Sequence, residues 1–508
     1  MFSEAYIIFS IGLIKPLQSA AFPTCFETHV DCRPEETHVM NFVQIAGIIL
    51  GMLVFGALGD IIGRCWGSRI VATIMLTGSV MLVFSALVRD PLTYLQFFIF
   101  AQTFYGFGVG GEYPMAASSA AERSQSDPEL RNKRGQQVVL TFSQQGMGNL
   151  VNGCVILICM AMLGQTGHVL EGRASRDIII IQESKVWKAE RKDAEDITAQ
   201  IEHKQKLYMY KTTLYRFGPR LMVTCLGWVM NDGAFYGNKL FQSKFIAALY
   251  PNATQFERMQ WTVLNSAISL LGYWAAAALV DKPWYGRCRM QTIGFFMMFV
   301  LFMACGVAYG PLTASATGFK AFQALYFLSS FFNQFGPNCT TWLVAAEVFP
   351  TDVRATFQGT SAAAGKVGAI IADIVFGLVS TQTTFFMSAG FGVAGCILTL
   401  LFLPDTTGLS LDELDRLHKY MLAEEFEHYH GEAVNPKHLS LFERYVLGWS
   451  KHYNPDMDAH HKELQEMAAA TKASQAVAEQ DAARGRAADP LLEMANRGAN
   501  NGHGGAQI

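Results

Sequence analysis

Charge is what this chain lacks most. Only 16% of its 508 residues are Asp, Glu, Lys or Arg, while 51% are hydrophobic and 37 are Phe. Soluble domains carry about 25% charged residues, so most of this chain belongs in lipid. A net charge of −3 supplies no basic field for nucleic acid, and no nucleic-acid partner is expected. Ten cysteines are scattered, mostly inside apolar runs, without metal-type spacing. No nucleophile–base pair or metal signature appears, so the chain reads as a non-enzyme without cofactor. Cys25 and Cys32 share one short polar loop and can pair if that loop faces an oxidising space. Met1 leads almost directly into an apolar segment with no basic leader, so no cleavable signal peptide is expected.

What the chain has in quantity is long apolar runs. Crossing a hydrocarbon core takes about 20 apolar residues. Runs that meet this length lie near 2–20, 40–59, 69–88, 94–119, 137–163, 219–246, 258–280, 290–310, 319–346, 356–380 and 384–403. That makes an all-α membrane protein of about eleven helices. Gly47, Gly51 and Gly56 recur at the spacing that lets helices approach closely in lipid.

Polar residues inside those runs are few and therefore informative. The stretch 336–372 sets two apolar runs around the turn Glu347-Val348-Phe349-Pro350-Thr351-Asp352-Val353-Arg354. Pro350 ends helix there, because the residue before a proline is pushed out of the helical region. The run beyond it carries Lys366 and Asp373, although a charge at membrane depth costs roughly 2.5–3.5 kcal/mol. Lys366 reads as a residue that awaits an anion, and a packing-only pair with an acid is the plain alternative. Trp228, Asp232 and Tyr236 stand at i, i+4 and i+8 on one stripe of a helix. Asp232 is the natural counter-charge for Lys366 when no anion is bound. Glu112 lies in a glycine-rich stretch before Pro114, an apolar setting suited to a proton carrier. Asp60 and Arg64 flank a tight glycine turn, and a looser copy returns at Asp281 and Arg287. Two such turns, able to cap neighbouring helix ends, suggest two related halves.

FGPNCTTW, EVFPTDVRAT and GTSAAAGKVGAI, in that order, resemble the phosphate:proton symporter family of the major facilitator superfamily, a branch that includes glycerophosphodiester transporters. The resemblance covers about 2–163 and 183–408. It implies two pseudo-symmetric helical bundles rocking around a midplane site, powered by protons. It implies that Tyr113, Gln145, Trp228, Asp232, Tyr236, Asn338 and Lys366 bind the anion, and that Glu112, Asp232 and Glu4 exchange protons. Asp60, Arg64, Asp281, Arg287, Glu347 and Arg354 read as gating or topology charges. The chain departs from the family in three places. Its first helix starts abruptly, with Glu4 at the first acid and Ile7 at the second. Glu112 stands for the usual Asp. A sixth crossing is missing: within 164–182 only Ile178–Ile181 is densely apolar, just after Glu171, Arg173, Arg176 and Asp177. A partly re-entrant segment over 166–182 is the alternative there.

The expected organisation is then an N-terminal bundle at 1–163, a central loop at 164–218 with the degenerate sixth helix, and a C-terminal bundle at 219–408. A tail at 409–467 holds an amphipathic helix over Leu411–Phe426, and 468–508 is expected to be disordered. The loop at 122–137 is basic and so cytoplasmic. The expected function is proton-coupled symport of inorganic phosphate by a monomer in a lipid bilayer, in a eukaryotic plasma membrane. The membrane assignment rests on the resemblance and on the glycosylation triplet at Asn252. Glycerophosphodiester uptake and a non-transporting sensor or truncated isoform are the competing readings.

Overall fold

The computed structural model describes residues 1–164, 203–249, 254–464 and 467. A few side chains within these helices, chiefly those of 203–208 and 235–249, lie outside that description. The sixth crossing, the Asn252 triplet and the 468–508 tail also lie outside it. In the first half, α1 (Phe2–Ala21), α2 (Pro34–Ile62), α3 (Arg64–Ala86), α4 (Pro91–Ser126) and α5 (Arg134–Met162) run back and forth. In the second, α6 (His203–Leu249), α7 (Gln255–Leu279) and α8 (Gly286–Val307) precede a broken helix. This consists of α9 (Ala316–Asn333), a π-helical stretch Gln334–Asn338 and α10 (Cys339–Glu347). Pro337 accounts for the π stretch, since it cannot donate to the helix ladder. α11 (Arg354–Leu378), α12 (Thr381–Phe402) and α13 (Leu411–Leu422) complete the order. Each of the eleven expected crossings thus coincides with a helix, that at 319–346 with the broken one, and among the described residues seven helices are long and apolar enough to span a membrane.

The α1–α2 loop carries the Cys25–Cys32 disulfide and marks one side of the molecule. The tail marks the other, where Ser410 and Asp412 accept from Gln125 at the end of α4. α5 ends on the disulfide side, whereas α6 begins on the tail side, with Thr213 2.7 Å from His418 of α13.

Close packing between helices depends on glycine. A Cβ on Gly51 would run into the Phe107 carbonyl oxygen, and one on Gly110 into that of Ile48, so α2 and α4 touch backbone to backbone. Across the two halves, Gly56 of α2 faces Ala355 and Gly359 of α11. This is the close approach that small residues permit in lipid. The start of the second bundle differs from expectation: 203–218 is helix rather than loop. Phe217 anchors this extension in a core with Val348, Leu414, Leu417 and Trp449.

Candidate functional site

Lys366 reaches its partner because α11 is nearly bare on the face toward α6. A Cβ on Gly365 would stand 3.0 Å from Trp228 Cβ and 3.1 Å from Asp232 Oδ2, and one on Gly368 3.0 Å from Val229. With the helices this close, Lys366 Nζ lies 2.8 Å from Asp232 Oδ2, and both residues are buried. The ammonium also lies 5.4 Å from the Tyr113 ring centre and 5.7 Å from that of Trp228. One carboxylate and two aromatic faces replace the water it has lost.

From Asp232 a circuit of hydrogen bonds runs back to Tyr113. Asn231 Nδ2 donates to Asp232 Oδ1 at 3.0 Å and to Asn338 Oδ1 at 3.1 Å. Asn338 Nδ2 donates to the Tyr273 hydroxyl at 2.9 Å and to Gln334 Oε1 at 2.5 Å. Tyr273 donates to Gln145 Oε1 at 3.1 Å, and Gln145 Nε2 donates to the Tyr113 hydroxyl at 2.8 Å. Tyr113 in turn packs edge-on against Trp342, which stacks on Phe142. Six of the expected site residues, Tyr113, Gln145, Trp228, Asp232, Asn338 and Lys366, therefore share one buried cluster drawn from both halves.

The indole nitrogens of Trp228 and Trp342 lack hydrogen-bond partners among the described residues, and the Glu4 carboxylate stands 3.8 Å from the Met1 amino group. Glu4 is fully buried beside Tyr113 and Gln145, within electrostatic reach of Lys366. An unsatisfied buried polar group costs about 1–3 kcal/mol, so these are places where a ligand or proton is favoured. Glu112 is not brought into the cluster; its side chain is 23% exposed and pairs with the Met1 amino group. Tyr236 continues the Trp228–Asp232 helix, and its side chain is outside the description.

The expected gating charges form two matching lattices on the tail side. In one, Arg64 binds Asp60 at 2.6 Å and Glu122 at 3.0 Å, and Glu122 receives Arg354 at 3.1 Å. In the other, Arg287 binds Asp281 at 2.8 Å and Glu347 at 3.0 Å, and Glu347 receives Arg134 at 2.7 Å. Thr406 donates to the same Glu347 at 2.6 Å. Asp60 accepts from the backbone N–H groups of Ala355 and Thr356, at 3.2 and 2.7 Å. Asp281 accepts from those of Gly135 and Gln136, at 3.1 and 2.7 Å. Each aspartate thus caps a helix N-terminus of the opposite half.

Sequence reasoning missed Asn231, Tyr273 and Trp342 in the cluster, and Glu122 and Arg134 in the lattices. Asn231 stood next to Asp232, a signal that was there to use. Glu122 and Arg134 flank the first-half loop much as Glu347 and Arg354 flank the later turn, and the internal repeat pointed to them.

The family described as sugar (and other) transporter matches residues 2–168 and 168–418. The chain is 27% identical over 483 residues to the probable inorganic phosphate transporter 1-6 of Arabidopsis thaliana, covering 81% of this chain and 91% of that one. It is 28% identical over 500 residues to the low affinity inorganic phosphate transporter 1 of Petunia hybrida, covering 82% and 90%. Among solved structures, the major facilitator superfamily proton:xylose symporter XylE bound to 6-bromo-6-deoxy-D-glucose superposes with a TM-score of 0.57 at 18% identity, covering 82% of this chain and 98% of that one. With the family matched along nearly the whole helical region, this chain belongs to the sugar (and other) transporter family, as a multi-pass membrane protein with the major facilitator superfamily fold.

Proposed function

We propose that this protein carries inorganic phosphate across a eukaryotic plasma membrane together with protons, by alternating access. The observation that carries the reading is the buried Lys366–Asp232 pair, 2.8 Å apart and ringed by amide and hydroxyl groups from both halves. The similar inorganic phosphate transporters support the choice of anion.

In this reading the empty site is neutral because Lys366 and Asp232 cancel. A proton on Asp232 frees the ammonium, which then faces the incoming oxyanion. Trp228 Nε1 supplies a donor that needs no rearrangement, since it has no acceptor among the described residues. Gln145 and Asn338 turn their N–H groups from neighbours to phosphate oxygens, and Tyr113 adds its hydroxyl. Glu4 takes a second proton, its charged form being costly where burial strips it of water. Outside the site, the two ion lattices hold the tail side closed, and that side is the cytoplasmic one. Arg134–Glu347 and Arg354–Glu122 cross between the halves, so opening inward means breaking both.

The test is uptake of radiolabelled phosphate into phosphate-transport-deficient cells at two external pH values, with Lys366→Ala alongside. Uptake that rises in acid and vanishes in the variant is the expected result. Uptake blocked by excess glycerophosphodiester, with little competition from phosphate, would move the substrate to organic phosphates. No uptake by protein present at the surface would refute transport.

A further inference from the structure

We infer that Tyr273 is a further substrate-site residue, whose hydroxyl holds the place of a phosphate oxygen in the empty protein and joins the anion's shell when it binds. The inference rests on the reading of the site as a phosphate site. Tyr273 is buried on α7, a helix that contributes none of the expected site residues. Its hydroxyl accepts from Asn338 Nδ2 at 2.9 Å and donates to Gln145 Oε1 at 3.1 Å. A phenol has one proton to give, and both its roles here are filled by amides expected to bind the anion. An oxyanion that takes over the Asn338 N–H now given to the phenol arrives beside the Tyr273 oxygen.

The exchange needs only rotations. The Asn338 N–H leaves the phenol oxygen for the anion, and the phenol O–H swings from Gln145 Oε1 to the same anion. Meanwhile the ring stays fixed. It packs edge-on against Phe142 at 5.6 Å, and a Cβ on Gly146 would stand 2.8 Å from its Cε2. Phe142, Gln145 and Gly146 all belong to α5, in the first half, whereas Tyr273 and Asn338 belong to the second. The hydroxyl is thus a hydrogen bond between halves at the level of the substrate, and arrival of the anion re-routes it. Tyr273 in this way makes α7 responsive to occupancy.

Tyr273→Phe keeps the ring and removes only the oxygen. The comparison is Ser266→Ala, two turns away on the same face of α7, which loses a bond across the same seam to Asn149, 3.1 Å long. Phosphate uptake kinetics and phosphate-induced thermal stabilisation of purified protein are measured for both. A hydrogen bond to a charged group is worth enough to shift KM about tenfold. The expected result is that rise in Tyr273→Phe with Vmax within about twofold, a matching loss of phosphate-induced stabilisation, and an unchanged KM in Ser266→Ala. An unchanged KM in Tyr273→Phe, or equal shifts in both variants, overturns the inference while leaving phosphate transport intact. Failure of the wild-type protein to be stabilised by phosphate or to take it up would overturn the phosphate reading and this inference together.

Discussion

Removing the ammonium of Lys366 should expose how much the site depends on charge balance. In Lys366→Met the Asp232 carboxylate stays buried, with Asn231 as its remaining donor. Breaking a buried ion pair from one side typically costs about 3–5 kcal/mol. The protein's escape is to protonate Asp232. For an ordinary carboxyl at pH 7 that means about three pH units at 1.36 kcal/mol each, or about 4 kcal/mol. The two limits agree, so the single variant should lose about 4 kcal/mol at pH 7 and about 1.5 kcal/mol at pH 5. Adding Asp232→Asn removes the orphaned charge and should restore stability to within about 1 kcal/mol of the wild type. Tryptophan fluorescence during unfolding in detergent measures all three proteins, and uptake assays run in parallel should find transport lost in both variants. A single variant as stable as the wild type at pH 7, or a double variant no better than the single, would refute the argument that this pair balances the empty site.

Other perturbations follow from the same geometry. Asp60→Asn should speed deuterium exchange at Ala355 and Thr356 more than at Gly135 and Gln136, which Asp281 still caps; equal change at all four would show that Asp60 does not cap its helix locally. Gly51→Ala should cost about 1–3 kcal/mol by driving a methyl into the Phe107 carbonyl, lowering surface expression, while Gly377→Ala, with nothing within 4 Å of its Cβ, should not. Burial holds the His438 imidazole below its usual pKa of about 6.5, so the unfolded chain binds the proton first. Stability from this group is therefore present above about pH 6.5 and lost as the pH falls below it. Protection of the 432–440 amides, as intrinsic over observed deuterium-exchange rate, should fall below about pH 6.5, and His438→Gln should flatten the dependence; parallel profiles would contradict this.

What could be read from the sequence was whatever stands out against an apolar background. The helices were legible because about 20 apolar residues have few other uses, and Lys366 and Asp232 because charge at that depth is expensive. Uncharged polar residues give no such contrast. Tyr273 and Asn231 fit equally well as packing groups bonded to a neighbour, and only the convergence of α5, α6, α7 and the π stretch separates the two uses. The helical extension from His203 was illegible for a related reason. Its stretch is rich in Lys and Arg, and its apolar stripe is satisfied by α13 and Trp449, partners some 200 residues away.

The glycine turns show where local reading stops short. Asp60 and Arg64, like Asp281 and Arg287, were legible as turns whose charges neutralise one another and cap nearby helices. Sequence alone does not say which helices. Had each aspartate capped a helix of its own half, the turns would stabilise two independent bundles and have no bearing on their relative motion. Instead Asp60 of the first half caps α11 of the second, and Asp281 of the second caps α5 of the first. Each cap binds the exposed N–H groups at the positive end of a helix dipole, an interaction that falls off within about one helical turn. Separating the halves on the tail side by that distance removes both caps together with the Arg134–Glu347 and Arg354–Glu122 pairs. In the proposed alternating-access cycle the closed arrangement would therefore give way as a unit, the bistable behaviour that such a cycle requires.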